Sequence, residues 1–131
     1  MQITKIITLS AVMLGGFGAS AASASTAVRA HTPSGNINCV ARNYGGPGWS
    51  LTCSADDPGR TMRISTRGDA YKTHYRPVAA GRGFTMHYDN AYKLGPYRCT
   101  SSTAGLSCSY VPSWASYRVG FWISRESAYS F

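Results

Sequence analysis

Four cysteines, Cys39, Cys53, Cys99 and Cys108, are the side chains of this sequence with the widest choice of chemistry. As thiolates they could bind zinc or attack an electrophile; oxidised, they could staple the chain. The gaps between them hold 13, 45 and 8 residues, and zinc sites draw their ligands from closely spaced pairs. An even number of cysteines in a small exported domain reads as two disulfides instead. The sequence has no G-x-S-x-G elbow to set up a serine nucleophile.

The next chemistry to weigh is acid–base. Cleaving a phosphodiester needs a base for the attacking hydroxyl, an acid for the leaving oxygen and a cation for the phosphorane. His74 and His87 are the pair that could supply base and acid, with Lys72, Arg82 and Asp89 in support. His87 and Asp89 stand two residues apart, on one face of an expected strand, and His74 falls in a loop. Nothing in the spacing makes these groups converge, so the histidines are the runner-up and not the leading reading. The set His31, His74 and His87 has no ligand spacing, and Asp56-Asp57-Pro58-Gly59 suits a turn better than a calcium loop. No metal and no cofactor is expected.

Binding chemistry is better supplied. The chain holds nine tyrosines and three tryptophans, with 13 Lys and Arg against five Asp and Glu. Several aromatics stand beside a cation, as in Tyr71-Lys72, Tyr75-Arg76, Tyr92-Lys93, Tyr97-Arg98 and Tyr117-Arg118. Exposed pairs of this kind stack on bases or sugars while meeting anionic groups. The residues singled out are Arg63, Arg67, Tyr71, Lys72, Arg76, Arg118 and Trp122. A basic surface also serves solubility, and aromatic residues are favoured in strands for their own reasons.

The elements that must position these residues begin after a leader. Lys5 precedes an apolar stretch, Ile6 to Phe17, and then small residues that include Ala22-Ser23-Ala24. That order is a secretory signal peptide, with cleavage expected after Ala24. Residues 25–131 then form one domain of 131 − 24 = 107 residues, basic by +7 once Lys5 is removed and with no membrane-spanning segment.

Within this domain apolar residues recur with period two. Ile37, Cys39 and Ala41 share a face, as do Trp49, Leu51, Cys53 and Ala55, with Ser50, Thr52 and Ser54 on the wet side. The same holds for Met62 and Ile64; for Phe84, Met86 and Tyr88; for Tyr97 and Cys99; for Leu106, Cys108 and Tyr110; and for Tyr117, Val119, Phe121 and Ile123. Seven such segments predict an all-β fold, a small antiparallel sandwich or barrel of about seven strands. Tyr44-Gly45-Gly46-Pro47-Gly48 and Ser101 to Gly105 separate two pairs of these segments, and a cysteine lies on the apolar face to either side of each. Of the three possible pairings, Cys39–Cys53 and Cys99–Cys108 stitch each hairpin across its own strands. Asp69 to Arg82 reads as an irregular loop. Ser124 to Phe131 reads as a helical turn capped by Ser124, with Tyr129 and Phe131 plugging the core.

Thr32-Pro33-Ser34-Gly35-Asn36-Ile37-Asn38-Cys39 resembles the TPSGNIxC opening of a family of small secreted bacterial proteins of unknown function. Its later signature is similar to Tyr97-Arg98-Cys99, to Gly105-Leu106-Ser107-Cys108 and to Gly120-Phe121-Trp122-Ile123-Ser124-Arg125, with Val119 where members carry a small polar residue or His. The resemblance implies an exported β-rich domain and carries no catalytic residues. The expected role is therefore a non-catalytic domain acting at the cell surface, with an anionic cell-envelope polymer, a glycan or nucleic acid as partner. The alternatives are a ribonuclease-like phosphodiesterase using His74 and His87, or an inhibitor or toxin that meets a protein through the loops around Tyr71 and Tyr75. No feature sets an oligomeric state.

Overall fold

The computed structural model describes residues 26–46, 48–55, 60–73 and 77–131. The expected signal peptide at 1–24, the Asp56–Gly59 turn and the loop residues His74, Tyr75 and Arg76 lie outside them. Among the described residues no helix is long and apolar enough to cross a membrane.

Strands β1 (Thr26–His31), β2 (Ile37–Asn43), β3 (Trp49–Ala55), β4 (Arg60–Ser65) and β5 (Tyr71–Lys72) form an antiparallel meander in chain order. The two-residue strand β6 (Phe84–Thr85) closes this first sheet by lying parallel to β1. A second meander follows: β7 (Ala91–Leu94), β8 (Tyr97–Ser101), β9 (Leu106–Tyr110), β10 (Val119–Ile123) and β11 (Ala128–Ser130). The two sheets pack face to face, with β10 over β3 and β4 and β11 over β4 and β5. The fold is all-β and a sandwich rather than a barrel, because each amphipathic sheet hides its dry face against the other.

The alternation of residue types places the core. Cys39, Ala41, Leu51, Cys53, Met62 and Ile64 face inward from the first sheet; Tyr97, Cys99, Leu106, Cys108, Phe121 and Ile123 face them from the second. Both disulfides form as the hairpin reading expects, Cys39–Cys53 and Cys99–Cys108. In each, the cysteines stand directly opposite on neighbouring strands with Cα atoms 4.1 Å apart. That spacing is near the narrow pair of an antiparallel ladder, where side chains come closest.

The described residues form eleven strands rather than about seven. Strands β5, β7 and β11 escaped the periodicity because each is short and lies at an edge, whereas β1 is a six-residue strand between β2 and β6 that packs Val28 and Ala30 into the core. The segment through Phe84, Met86 and Tyr88 pairs only at Phe84 and Thr85 before Asp89 enters the left-handed region at φ 66°. Tyr117 precedes β10 and is exposed, so it does not share the dry face of Val119 and Phe121.

The C-terminal segment is a strand and not a helical turn. Ser124 Oγ accepts the N–H groups of Glu126 and Ser127 (3.2 and 3.1 Å), and the Ser124 N–H donates to the Ser127 carbonyl (2.8 Å). This tight turn reverses the chain onto β10, where Gly120 and Phe131 exchange two backbone hydrogen bonds. Tyr129 and Phe131 consequently stay exposed, and Ala128 is the residue of β11 that enters the core.

A strap covers one end of the outer face of β3. Residues 77–81 lie over it; the Val78 N–H donates to Ser54 Oγ (2.8 Å) and the Gly81 N–H to Asn38 Oδ1 (2.9 Å). Ser54, expected on a wet face, is therefore buried; Ser50 and Thr52 are buried as well, Ser50 donating to the Tyr44 phenol.

Candidate anion-binding surfaces

Strand register decides which cations share a surface. On the outer face of the first sheet, Arg29, Val40, Thr52, Arg63 and Tyr71 form one continuous cross-strand row. Arg42 stands two residues along β2 from Val40, in the next row with Ser50 and Ser65. At about 4.8 Å per strand, Arg29 and Arg63 are roughly 14 Å apart across this row. Between them lies a groove of about 490 Å³, floored by Val40 and Thr52 and walled on one side by Pro77, Val78 and Ala79 of the strap.

Tyr44 frames the same face. Its phenol oxygen accepts hydrogen bonds from Ser50 Oγ (3.1 Å) and from the Arg63 guanidinium (3.2 Å). The Ser50 hydrogen bond, with Arg63 and Arg42 close by, holds the Tyr44 pKa below the ordinary tyrosine value despite some opposition from burial. Hydrogen bonds donated to the phenol oxygen favour its ionised form, and the two arginines add to that effect.

Of the residues picked from the sequence, Arg63 and Tyr71 sit side by side in this row. Lys72 pairs with Met62, in the row opposite to the arginine face, and is exposed on the edge strand; Arg67 lies in the turn after β4. Arg76 is outside the described residues. Sequence reasoning missed Arg29 and Arg42, which complete the groove. Arg42 was within reach, because it alternates with Cys39 and Ala41; Arg29 was hidden by the unread strand β1.

Arg118 and Trp122 belong to the opposite side of the molecule. There Lys93, Arg98, Ser109 and Gly120 form one row, and Ala91, Thr100, Ser107, Trp122 and Tyr129 the next. Arg118 lies over this face and donates to Ser109 Oγ (3.1 Å). Trp122 is half-buried, its indole resting on Gly105, where a Cβ would come within 2.7 Å of the ring. Arg63 and Tyr71 thus lie on one outer face and Arg118 and Trp122 on the other, with Lys72 and Arg67 on neither, so the described residues among those singled out form no single patch. The described carboxylates, Asp69, Asp89 and Glu126, all lie in loops or turns and none on either face.

Two of the three histidines, His31 and His87, lie among the described residues. The His31 Nδ1 lies 3.0 Å from the Arg82 carbonyl, which can only accept, so that nitrogen carries the proton; Nε2 pairs with the Thr85 hydroxyl at 3.1 Å. His31 is therefore a brace between β1 and β6. His87 is exposed, and only its backbone N–H is engaged, by Tyr92 Oη at 3.0 Å. His74 is outside the described residues, and among those described no three His, Cys, Asp or Glu side chains gather as a metal site.

Three of the four segments that carry the resemblance meet at one end of the sandwich. Thr32, Ser34 and Asn36 of the opening, Gly105 of the Gly105–Cys108 segment and Ser124 and Arg125 of the last line one polar recess of about 170 Å³, and Tyr97-Arg98-Cys99 is not part of it. Arg60 holds this end together, donating to the carbonyls of Arg125 and, at 3.0 Å, Glu126. The recess is built from internally bonded turns at the end of the sandwich away from Tyr97 and Trp49. Comparison of the chain with protein-family models, with curated proteins and with solved structures finds no match in any of the three.

Proposed function

We propose that the chain is an exported, non-catalytic domain that holds an acidic glycan of the cell surface in the arginine groove of the first sheet. The observation that carries this reading is the placement of Arg29, Arg42 and Arg63 around a carboxylate-free floor of Val40 and Thr52. Guanidinium groups are weakly hydrated and match carboxylate, sulfate or phosphate geometry with paired donors. The open groove admits a chain passing through it, and the floor offers no stacking platform for bases between the cations. The signal-like N-terminus, both disulfides and the resemblance to secreted proteins support a site of action outside the cytoplasm.

The test is retention on an immobilised polyuronate at rising salt. Retention is expected at low ionic strength with release as salt screens the arginines. Each of Arg29→Ser, Arg42→Ser and Arg63→Ser should weaken binding about tenfold, the value of one charge-assisted hydrogen bond. Equal retention by the triple variant would sink the assignment, and preference for single-stranded nucleic acid over the polyuronate would replace the glycan.

A further inference from the structure

The arginine groove leaves unexplained the end of the sandwich where Tyr97 meets Trp49. The loop from Val111 to Tyr117, between β9 and β10, reads Val-Pro-Ser-Trp-Ala-Ser-Tyr and contains no charge. Val111, Trp114 and Tyr117 are 53%, 50% and 60% exposed, and Tyr44 on the neighbouring turn is 61% exposed. Three large apolar groups exposed on one seven-residue loop are costly in water, and such patches mark a contact surface. The loop is also held in shape. Pro112 is buried, the Ala115 N–H donates to the Pro112 carbonyl (3.2 Å), and the Trp114 and Tyr117 rings meet edge to face at 6.2 Å.

Cations ring this tip. Arg118 leaves the loop directly; Lys93 and Arg98 are paired across β7 and β8, and Arg98 faces Ser109, the hydroxyl that Arg118 reaches. Arg67 lines a recess with Tyr110, Val111 and Ser113 on the other flank. One carboxylate, Asp69, shares this end with those four cations, close enough to add to the burial that raises the Tyr110 pKa. Tryptophan and tyrosine prefer the headgroup level of a bilayer, where the ring is half dry and its polar atom wet. Basic residues beside them meet anionic lipid phosphates.

We propose that the Val111–Tyr117 loop docks on an anionic lipid bilayer, with Trp114 and Tyr117 at the headgroup–acyl boundary and Lys93, Arg98, Arg118 and Arg67 against the phosphates. The docking tip lies at one end of the sandwich and the arginine groove on a side face, so both surfaces can be occupied together.

The experiment is vesicle flotation of the exported protein with phosphatidylcholine alone and with an equal mixture of phosphatidylcholine and phosphatidylglycerol. Association with the anionic vesicles is expected, together with quenching of tryptophan emission by lipids brominated on the acyl chain. Trp114→Ser with Tyr117→Ser should weaken association at least tenfold and leave retention on the polyuronate unchanged, which also verifies folding. Trp114→Phe, which keeps a ring, should retain most of the association. Arg98→Ser with Arg118→Ser should reduce association to the level seen on phosphatidylcholine. Absence of binding at low salt, binding indifferent to Trp114 and Tyr117, or equal binding to both vesicle types would each overturn the proposal. Capture of a protein through Trp114 without vesicle association would overturn it equally.

Discussion

The phenol of Tyr97 crosses the core from β8 and ends on the carbonyl oxygens of Trp49 (3.0 Å) and Ile64 (3.4 Å). Burial raises its pKa well above the ordinary tyrosine value, and neighbouring Tyr110, edge to face at 5.2 Å, adds in the same direction. Tyr110 is raised as well and donates to the Ser65 carbonyl (3.0 Å). A raised folded-state value means that the native state favours the neutral phenol. That stability is complete below the unfolded pKa of about 10 and is lost as pH rises past it toward the folded value. Urea midpoints should therefore hold up to about pH 10 and then fall. Tyr97→Phe should flatten that fall while costing about 1–2 kcal/mol at neutral pH, because it strands bonded carbonyls. Nearby, Gly95 turns the chain at φ +63° with its Cα against the Trp49 ring, so that a Cβ would come within 2.5 Å. Gly95→Ala is expected to cost about 2–3 kcal/mol in a denaturant titration, combining left-handed backbone strain with displacement of the indole. Neither effect can be read from sequence, since both depend on which residue of the other sheet stands opposite.

At the scale of elements, the two hairpins were the most legible part. In each, period-two alternation puts both cysteines on the same dry face with a turn between them, so pairing follows from local information. The cross-links close loops with sequence separations of 14 and 9, and the chain-entropy model assigns about 3 kcal/mol to each. Replacing Cys39 and Cys53 by alanine should lower the unfolding free energy by about that amount, measured by urea titration under oxidising conditions. The strap and the parallel pair β1–β6 were not legible, because both depend on contacts distant in sequence. Asn38 shows why: its amide donates to Gly35 O at 3.0 Å and its Oδ1 receives the Gly81 N–H, joining segments more than forty residues apart. Asn38→Ala should speed amide exchange at Val78 and Gly81 far more than in β8 or β9, which lie in the other sheet. Undiminished protection at these two amides would show that the strap is held elsewhere.

For the whole molecule, folding sorts charge in a way that composition does not reveal. Net charge reads the same however the cations are distributed, yet the fold draws Arg29, Arg42 and Arg63 to one face and Lys93, Arg98 and Arg118 to the other, with the described carboxylates in loops and turns. Arg63 and Arg118 were singled out from sequence, and Lys93 and Arg98 entered only as neighbours of aromatic residues; that the six divide between two faces required knowing which residues share a row. Exchanging all three cations of one face for serine should leave the melting temperature within a few degrees of the parent, because these side chains lie outside the core. A large loss of stability would mean that the arginines hold the sheet together and would leave them no freedom to meet a ligand.

The connectivity of the cross-links also bears on how the chain acquires its native state. Cys39 and Cys53 are consecutive along the chain, and so are Cys99 and Cys108. As the polypeptide emerges N-terminus first, each thiol meets its proper mate before the following pair arrives. An oxidant that simply joins cysteines in their order of appearance makes the correct set, and reshuffling by a disulfide isomerase is dispensable. Oxidative refolding from the fully reduced state, by contrast, presents all four thiols at once and should be the condition in which such an enzyme accelerates recovery.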